Sequence, residues 1–160
     1  MHARKKETER DVLVAGGVLS TDYLNHYGEA LMLIEMAVMD LSVIEDLRAW
    51  RPKTYREHFA TSSLRCAPGA LQAHGLLDRT QVGAFESLCS AMNRLVDTVL
   101  LVLNEATTPG DAAMVVDVAA AAFRSLLSRA TAFINSGGTL ASAQFDGAEL
   151  QNAVDQLMAF

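Results

Sequence analysis

The sequence predicts an all-α single domain with a four-helix-bundle-like arrangement and a short helical crossover. Three observations indicate it. Only three of the 160 residues are proline, and the background is rich in alanine and leucine, which favours helix over strand. Apolar residues recur at spacings of three and four rather than at alternate positions. Residues typical of helix N-caps precede the apolar runs. The chain is 51% hydrophobic and long enough to bury a sizeable core.

Residues 1–19 are expected to form a leader, followed by the helical domain at 20–160. The apolar run at 12–19 follows acidic residues and contains a glycine pair, which is atypical of an export signal. Charged residues interrupt the other apolar stretches well short of the roughly 20 residues that span a membrane. We therefore expect a cytoplasmic protein with no membrane segment.

The first helix is predicted from Asp22 to about Leu47, with a bend near 40–42, and Pro52 ends it. Ser20 and its neighbours supply N-cap chemistry at its start. This helix is apolar on nearly every side. One stripe consists of Leu24, Tyr27, Leu31, Ile34 and Val38. A second stripe consists of Met32, Met36 and Met39, whose spacing of four and then three aligns them in a column.

A helical crossover is predicted at 54–75, because Thr54 and Glu57 have the spacing of a capping box. Asp78 then caps a long helix with the cleanest three-four apolar rhythm in the chain. This helix is expected to end, and the next one to begin, at residues 108–111.

The next helix is predicted to run to about Asn135, after Pro109 in the first turn. Its alanine run at 119–122 lets helix axes approach closely, so we expect a neighbour there. Residues 136–138, Ser-Gly-Gly, end it. Asp146 caps a last helix whose apolar face consists of Leu150, Val154, Leu157 and Met158.

The charge and cysteine content narrow the function classes. The formal net charge is −6, which disfavours an electrostatic nucleic-acid binder. Cys66 and Cys89 have neither the spacing of a metal site nor that of a disulfide framework. We expect two reduced, partly buried thiols, and we expect no metal and no cofactor.

The methionine column is the first candidate site. Methionine is flexible and polarisable, so clusters of it suit surfaces that meet varied apolar partners. Two interpretations stay open. Either neighbouring helices cover both faces of the first helix and the column is core, or the column is a dimer interface, a partner surface or a ligand groove.

The second candidate is a basic and aromatic segment at 47–56. Its candidate binding residues are Arg48, Trp50, Arg51, Lys53 and Tyr55. Cations beside aromatic rings can hold phosphates or carboxylates through forked hydrogen bonds and stacking. The alternative is a loop in which Trp50 fills the core while the cations balance the acidic first helix.

A third candidate is a polar cluster on the first helix. Asp22, His26 and Glu29 share one face at spacings of four and three, and Glu35 lies at the border of the main apolar stripe. A di-iron bundle needs Glu-x-x-His pairs on two helices, and the sequence has none. An exposed hydrogen-bonded trio is therefore the simpler interpretation. Arg94 or Arg124 is the expected partner of Glu35.

These patterns predict a non-catalytic interaction or regulatory protein that binds a protein partner, or a second copy of itself, through the methionine column or the Trp50 segment. The first alternative is a small-molecule-binding or metal-dependent bundle enzyme with a pocket near His26, Glu29 and Glu35. The second is a histidine phosphorelay module using His26 or His58. Enzymatic activity is the weaker hypothesis, since no nucleophile or phosphate-loop motif occurs.

Overall fold

The computed structural model describes residues 17–105 and 108–159. Residues 1–16 of the predicted leader lie outside the described residues. A 3-10 turn at Thr21–Leu24 precedes the α-helices. In chain order these are α1 Asn25–Met36, α2 Val43–Ala49, α3 Tyr55–Ala60, α4 Ala67–Gly75, α5 Arg79–Glu105, α6 Pro109–Asn135, α7 Leu140–Ala143 and α8 Gly147–Met158. The described residues contain no strand, so the all-α prediction is confirmed.

Helices α5 and α6, of 27 residues each, form the centre of the bundle. They pack along each other, and the rings of Phe85 and Phe133 stack with centroids 5.2 Å apart. Helix α1 packs on α6 and, more lightly, on α5, while α8 packs on both α5 and α6. The short helices α3 and α4 pack together as the predicted crossover. The result is the expected four-helix-bundle-like arrangement.

Side-chain caps set the starts of several helices. Thr54 and Glu57 form both hydrogen bonds of the predicted capping box. Asp78 and Gln81 form another at the start of α5, with backbone-to-side-chain distances of 2.8 and 2.9 Å. Thr108 accepts from the backbone N–H of Asp111 at the start of α6. These bonds satisfy backbone donors that a helix start would otherwise leave unpaired.

Two glycines end α6 in a Schellman motif. The N–H of Gly138 donates to the carbonyl of Phe133 at 2.8 Å, and the N–H of Gly137 donates to that of Ile134 at 3.1 Å. Both glycines have positive φ, 74° at Gly137 and 97° at Gly138. Because other residues rarely adopt this backbone conformation, glycine is required for the predicted break after Asn135.

The predicted first helix is two helices. α1 ends at Met36, a turn occupies 37–42, and α2 begins at Val43. Asp40 holds the turn, because its Oδ1 accepts from the backbone N–H of Ser42 at 3.0 Å and from its hydroxyl at 2.6 Å. Side chains of this type compete with the helical hydrogen-bond ladder. The predicted bend therefore lies in the right region but is a complete interruption.

Two details of the last third differ from prediction. Met158, expected on the apolar face of the last helix, is exposed, while Val154 and Leu157 are buried as expected. A short helix, α7, precedes α8 and was not predicted.

Ala119 and Ala120 are buried on α6, as expected for close helix packing. No described helix combines the length and the apolar content that crossing a bilayer requires.

Candidate functional site

Three methionines stand out at the surface of α1 and the turn that follows it. Met32 is 50% exposed, Met36 46% and Met39 93%. Val38 and Leu41, in the same turn, are also exposed. We call these five residues the methionine face. The interpretation in which neighbouring helices cover both sides of the first helix is corrected, because the second stripe is open to solvent.

The wheel of α1 explains this exposure. Within α1 the buried residues are Tyr27, Ala30 and Ile34, and Tyr23 before the helix and Ala37 after it are also buried. At about 100° per residue, Met32 and Met36 point roughly away from the middle of that set. The bundle can cover only one side of α1, because α5 and α6 both pack on that side. Val38, predicted in the main apolar stripe, leaves it because the chain is no longer helical there.

The turn at 37–42 adds to the face. It places Val38, Met39 and Leu41 at the surface around the Asp40–Ser42 hydrogen bonds. The same bonds from the Ser42 hydroxyl and N–H favour the ionised carboxylate of Asp40 and lower its pKa below the ordinary value. Asp40 thus places a negative charge in the turn, between Met39 and Leu41 of the methionine face.

Acidic residues dominate the surroundings of the methionine face. Residues 22–46 contain six Asp and Glu and no Lys or Arg. Glu29 is exposed one turn before Met32 and in line with Met36 on the wheel. Glu35 forms an ion pair with Arg124 of α6, the predicted type of partner. Neither Glu29 nor Asp40 is part of an ion pair within residues 17–105 and 108–159.

The basic and aromatic segment is divided between core and surface. Trp50 is 8% exposed and Tyr55 4%. The indole N–H of Trp50 donates to the carbonyl of His26 at 3.0 Å. The Tyr55 hydroxyl accepts from the N–H of Ser20 and donates to the carbonyl of Ala70, both at 3.1 Å. Both rings are thus occupied in holding the fold together.

The cations of that segment remain at the surface. Arg48 bonds to Glu45 and, at 2.9 Å, to Asn104 of α5. Arg51 donates to the carbonyls of Arg48 and Trp50. Lys53 is exposed. With the aromatic rings buried, the segment offers no stacking surface, and Arg48 and Arg51 are already bonded within the chain.

The predicted polar cluster separates into different contacts. Nε2 of His58 lies 2.7 Å from Oδ2 of Asp22. His26 bonds to the carbonyl of Arg51 and stacks on Trp50, with ring centroids 4.7 Å apart. Glu29 has no hydrogen bond to either. Although Asp22, His26 and Glu29 share a helix face, they do not converge on one point.

No metal centre forms in the described part of the chain, where no three His, Cys, Asp or Glu side chains come close enough to hold an ion. The free thiols are Cys66, which is exposed, and Cys89, which is half-buried. Burial raises the pKa of Cys89 to about 11, so it is a poor nucleophile at neutral pH.

A groove of about 520 Å³ lies between α6 and α8. Val118, Ala122 and Leu126 of α6 face Leu150 and Ala153 of α8 across it. None of its lining residues belongs to the polar cluster, so this groove is not the pocket expected near His26, Glu29 and Glu35.

Sequence reasoning missed two parts of this region. Val38 and Leu41 join the methionine face only because the helix is interrupted, and Asp-x-Ser at 40–42 was the available signal. The Asp22–His58 pair joins residues 36 positions apart, and no local pattern indicates such a contact.

Comparison with protein-family models, with curated proteins and with solved structures finds no match for this chain.

Proposed function

We propose that this chain is a non-catalytic interaction protein that binds a protein partner through the methionine face. The observation that supports the proposal is the exposure of Met32 and Met36 on the outer side of α1 and of Met39 in the turn that follows it. Binding of a partner removes exposed apolar side chains from water, which is favourable in free energy. Contiguous exposed apolar patches therefore mark interaction sites. Methionine adapts its shape to the surface that it meets.

The other candidate sites offer less support for binding. Trp50 and Tyr55 are buried and hydrogen-bonded within the chain. The polar side chains of the predicted cluster are directed to separate partners. A reducing compartment such as the cytoplasm fits the exposed free thiol of Cys66. We therefore propose that the protein works there.

Site-specific photo-crosslinking tests the proposal. A photoreactive phenylalanine analogue replaces Met36 in one variant and Met158 in another. Met158 is the matched control, because it is a similarly exposed methionine on α8, which packs on α5 and α6 rather than on α1. We expect a discrete product from position 36 and none from position 158.

Identification of the cross-linked protein by mass spectrometry completes the experiment. The purified partner should bind the wild-type chain and bind Met32→Glu at least about tenfold more weakly, since a charge would be buried at the contact. Equal cross-linking at positions 36 and 158, or equal binding by the Met32→Glu variant, would overturn the proposal.

A further inference from the structure

We infer that the partner segment is an amphipathic helix with lysine or arginine at both ends of its apolar face. The inference rests on the proposed function of the methionine face and adds the chemistry of the partner. It comes from the position of two carboxylates, Glu29 and Asp40, relative to the exposed methionines.

The two carboxylates lie on either side of the three methionines along the chain. Glu29 lies on the exposed side of α1 one turn before Met32, and Asp40 follows Met39 directly. From Glu29 to Met36 the helix rises about 10 Å at 1.5 Å per residue, and the turn adds to this length. The three methionines thus extend over about two helical turns, with Glu29 before the first of them and Asp40 after the last.

Charge complementarity points to a cationic partner. A partner cation at each end would meet Glu29 and Asp40 while its apolar side chains cover the methionines. Opposite charges at the rim of an interface guide association and select partners. Glu35 contributes less, because Arg124 already neutralises it.

The same charges disfavour a second copy of this chain. A symmetric dimer places the same patch of both subunits in contact. Residues 22–46 hold six acids and no Lys or Arg, so two copies would bring carboxylates against carboxylates. Like charges facing each other across an interface cost free energy. An anionic membrane or nucleic acid is disfavoured for the same reason.

The shape of the face favours a helix over an extended strand. Strand addition requires unpaired backbone groups at a sheet edge. The backbone of α1 is hydrogen-bonded within the helix, so only side chains are available for contact. Side chains on a helix surface form ridges and grooves into which a second helix packs.

Three designed peptides test this inference on the full chain. The first is an amphipathic helix of about five turns with a leucine face flanked by lysines. The second replaces each lysine by glutamate. The third has the composition of the first in scrambled order, so that no apolar face forms. Binding is measured by fluorescence anisotropy of labelled peptide at several salt concentrations.

We expect the basic peptide to bind at least about tenfold more tightly than either of the other two. Glu29→Gln combined with Asp40→Asn should weaken it by about tenfold and reduce the salt dependence. Asn at 40 keeps an oxygen that accepts from Ser42, so the turn is retained. Asp97→Asn, at an exposed aspartate of α5, is the control and should leave binding unchanged.

The outcomes separate this inference from the proposed function. The control variant Met158→Gln should bind the basic peptide as the wild type does. If the double variant Met32→Gln, Met36→Gln also binds it with unchanged affinity, the assignment of the methionine face as the binding site is wrong. If binding requires the methionines but the acidic peptide binds equally, or Glu29 and Asp40 have no effect, only the partner chemistry is wrong. Equal binding of the scrambled peptide, or no binding of the basic one, also overturns the inference. Concentration-dependent dimers in light scattering that Met36→Glu dissociates would assign the face to a second copy.

Discussion

The imidazole of His58 and the carboxylate of Asp22 meet with 2.7 Å between Nε2 and Oδ2, which joins α3 to the 3-10 turn before α1. The side chains keep only 20% and 31% of their exposure, so water screens the contact in part. We expect His58→Ala and Asp22→Asn to show a coupling free energy of about 1 kcal/mol in a double-mutant cycle. Urea denaturation measures it. Pairing His58→Ala with Asp97→Asn should give no coupling, and a coupling of zero for the first pair would contradict the prediction.

Gly138→Ala should destabilise the protein more than Gly137→Ala does. Both substitutions force alanine to a positive φ, which costs about 1–2 kcal/mol. At Gly138 the added Cβ would also lie 2.8 Å from Cδ2 of Leu77, whereas at Gly137 it meets nothing within 4 Å. We expect an extra loss of about 1 kcal/mol at Gly138, because Leu77 must move. Equal thermal melting temperatures for the two variants would show that Leu77 adapts without cost.

Local patterns predicted the fold well and the exposed site only in part. Capping at Thr54 and Asp78 depends on residues three positions apart, so the sequence shows it directly. The side of α1 that the bundle covers is decided by how α5 and α6 pack on it, which no local pattern contains. The methionine column was therefore visible in the sequence, but its exposure was not. Contacts such as Asp22–His58 depend on the tertiary fold in the same way.

Methionine oxidation by dilute hydrogen peroxide should follow exposure. Met39 is 93% exposed and should be converted to its sulfoxide first, with Met32, Met36, Met114 and Met158 at intermediate rates. Met92 is buried on α5 and should react only when the protein unfolds. Peptide mapping by mass spectrometry gives each rate. A Met39 rate equal to that of Met92 would mean that the face is covered in solution.

Alkaline pH should destabilise the fold through Cys89. Burial raises its pKa from 9.0 to about 11, and burial, with the nearby Cys89 as a lesser cause, also raises the pKa of Tyr23 and of Tyr27. The unfolded chain therefore loses these protons first. The stabilising contribution is complete below pH 9.0 and falls as the pH rises through about 11.

The free energy of unfolding, measured in urea across this range, should decline less steeply for Cys89→Ala than for the wild type. Cys66→Ser, at the exposed thiol, is the control and should follow the wild-type slope. Parallel curves for Cys89→Ala and the wild type would remove Cys89 as a cause of the decline.

The ion pair between Glu35 and Arg124 should contribute little to stability, although it joins α1 to α6. Its side chains are 40% and 59% exposed, and exposed pairs are screened by water and salt. We expect a coupling of about 0.5 kcal/mol or less from Glu35→Gln and Arg124→Gln, measured by urea denaturation in low salt. High salt should abolish it. A coupling several times larger would indicate that the pair orients α1 on the bundle.

Because Trp50 stacks on His26 of α1, its fluorescence can report on the surroundings of α1. Trp50 is the only tryptophan in the chain, so the whole indole emission comes from one site. That site lies against α1, the helix that carries Met32 and Met36, and the indole is hydrogen-bonded to the carbonyl of His26. A ligand that shifts α1 should change the intensity or wavelength of this emission, and unfolding should shift it to the red. Titrations with unlabelled peptides can therefore be followed in the native chain.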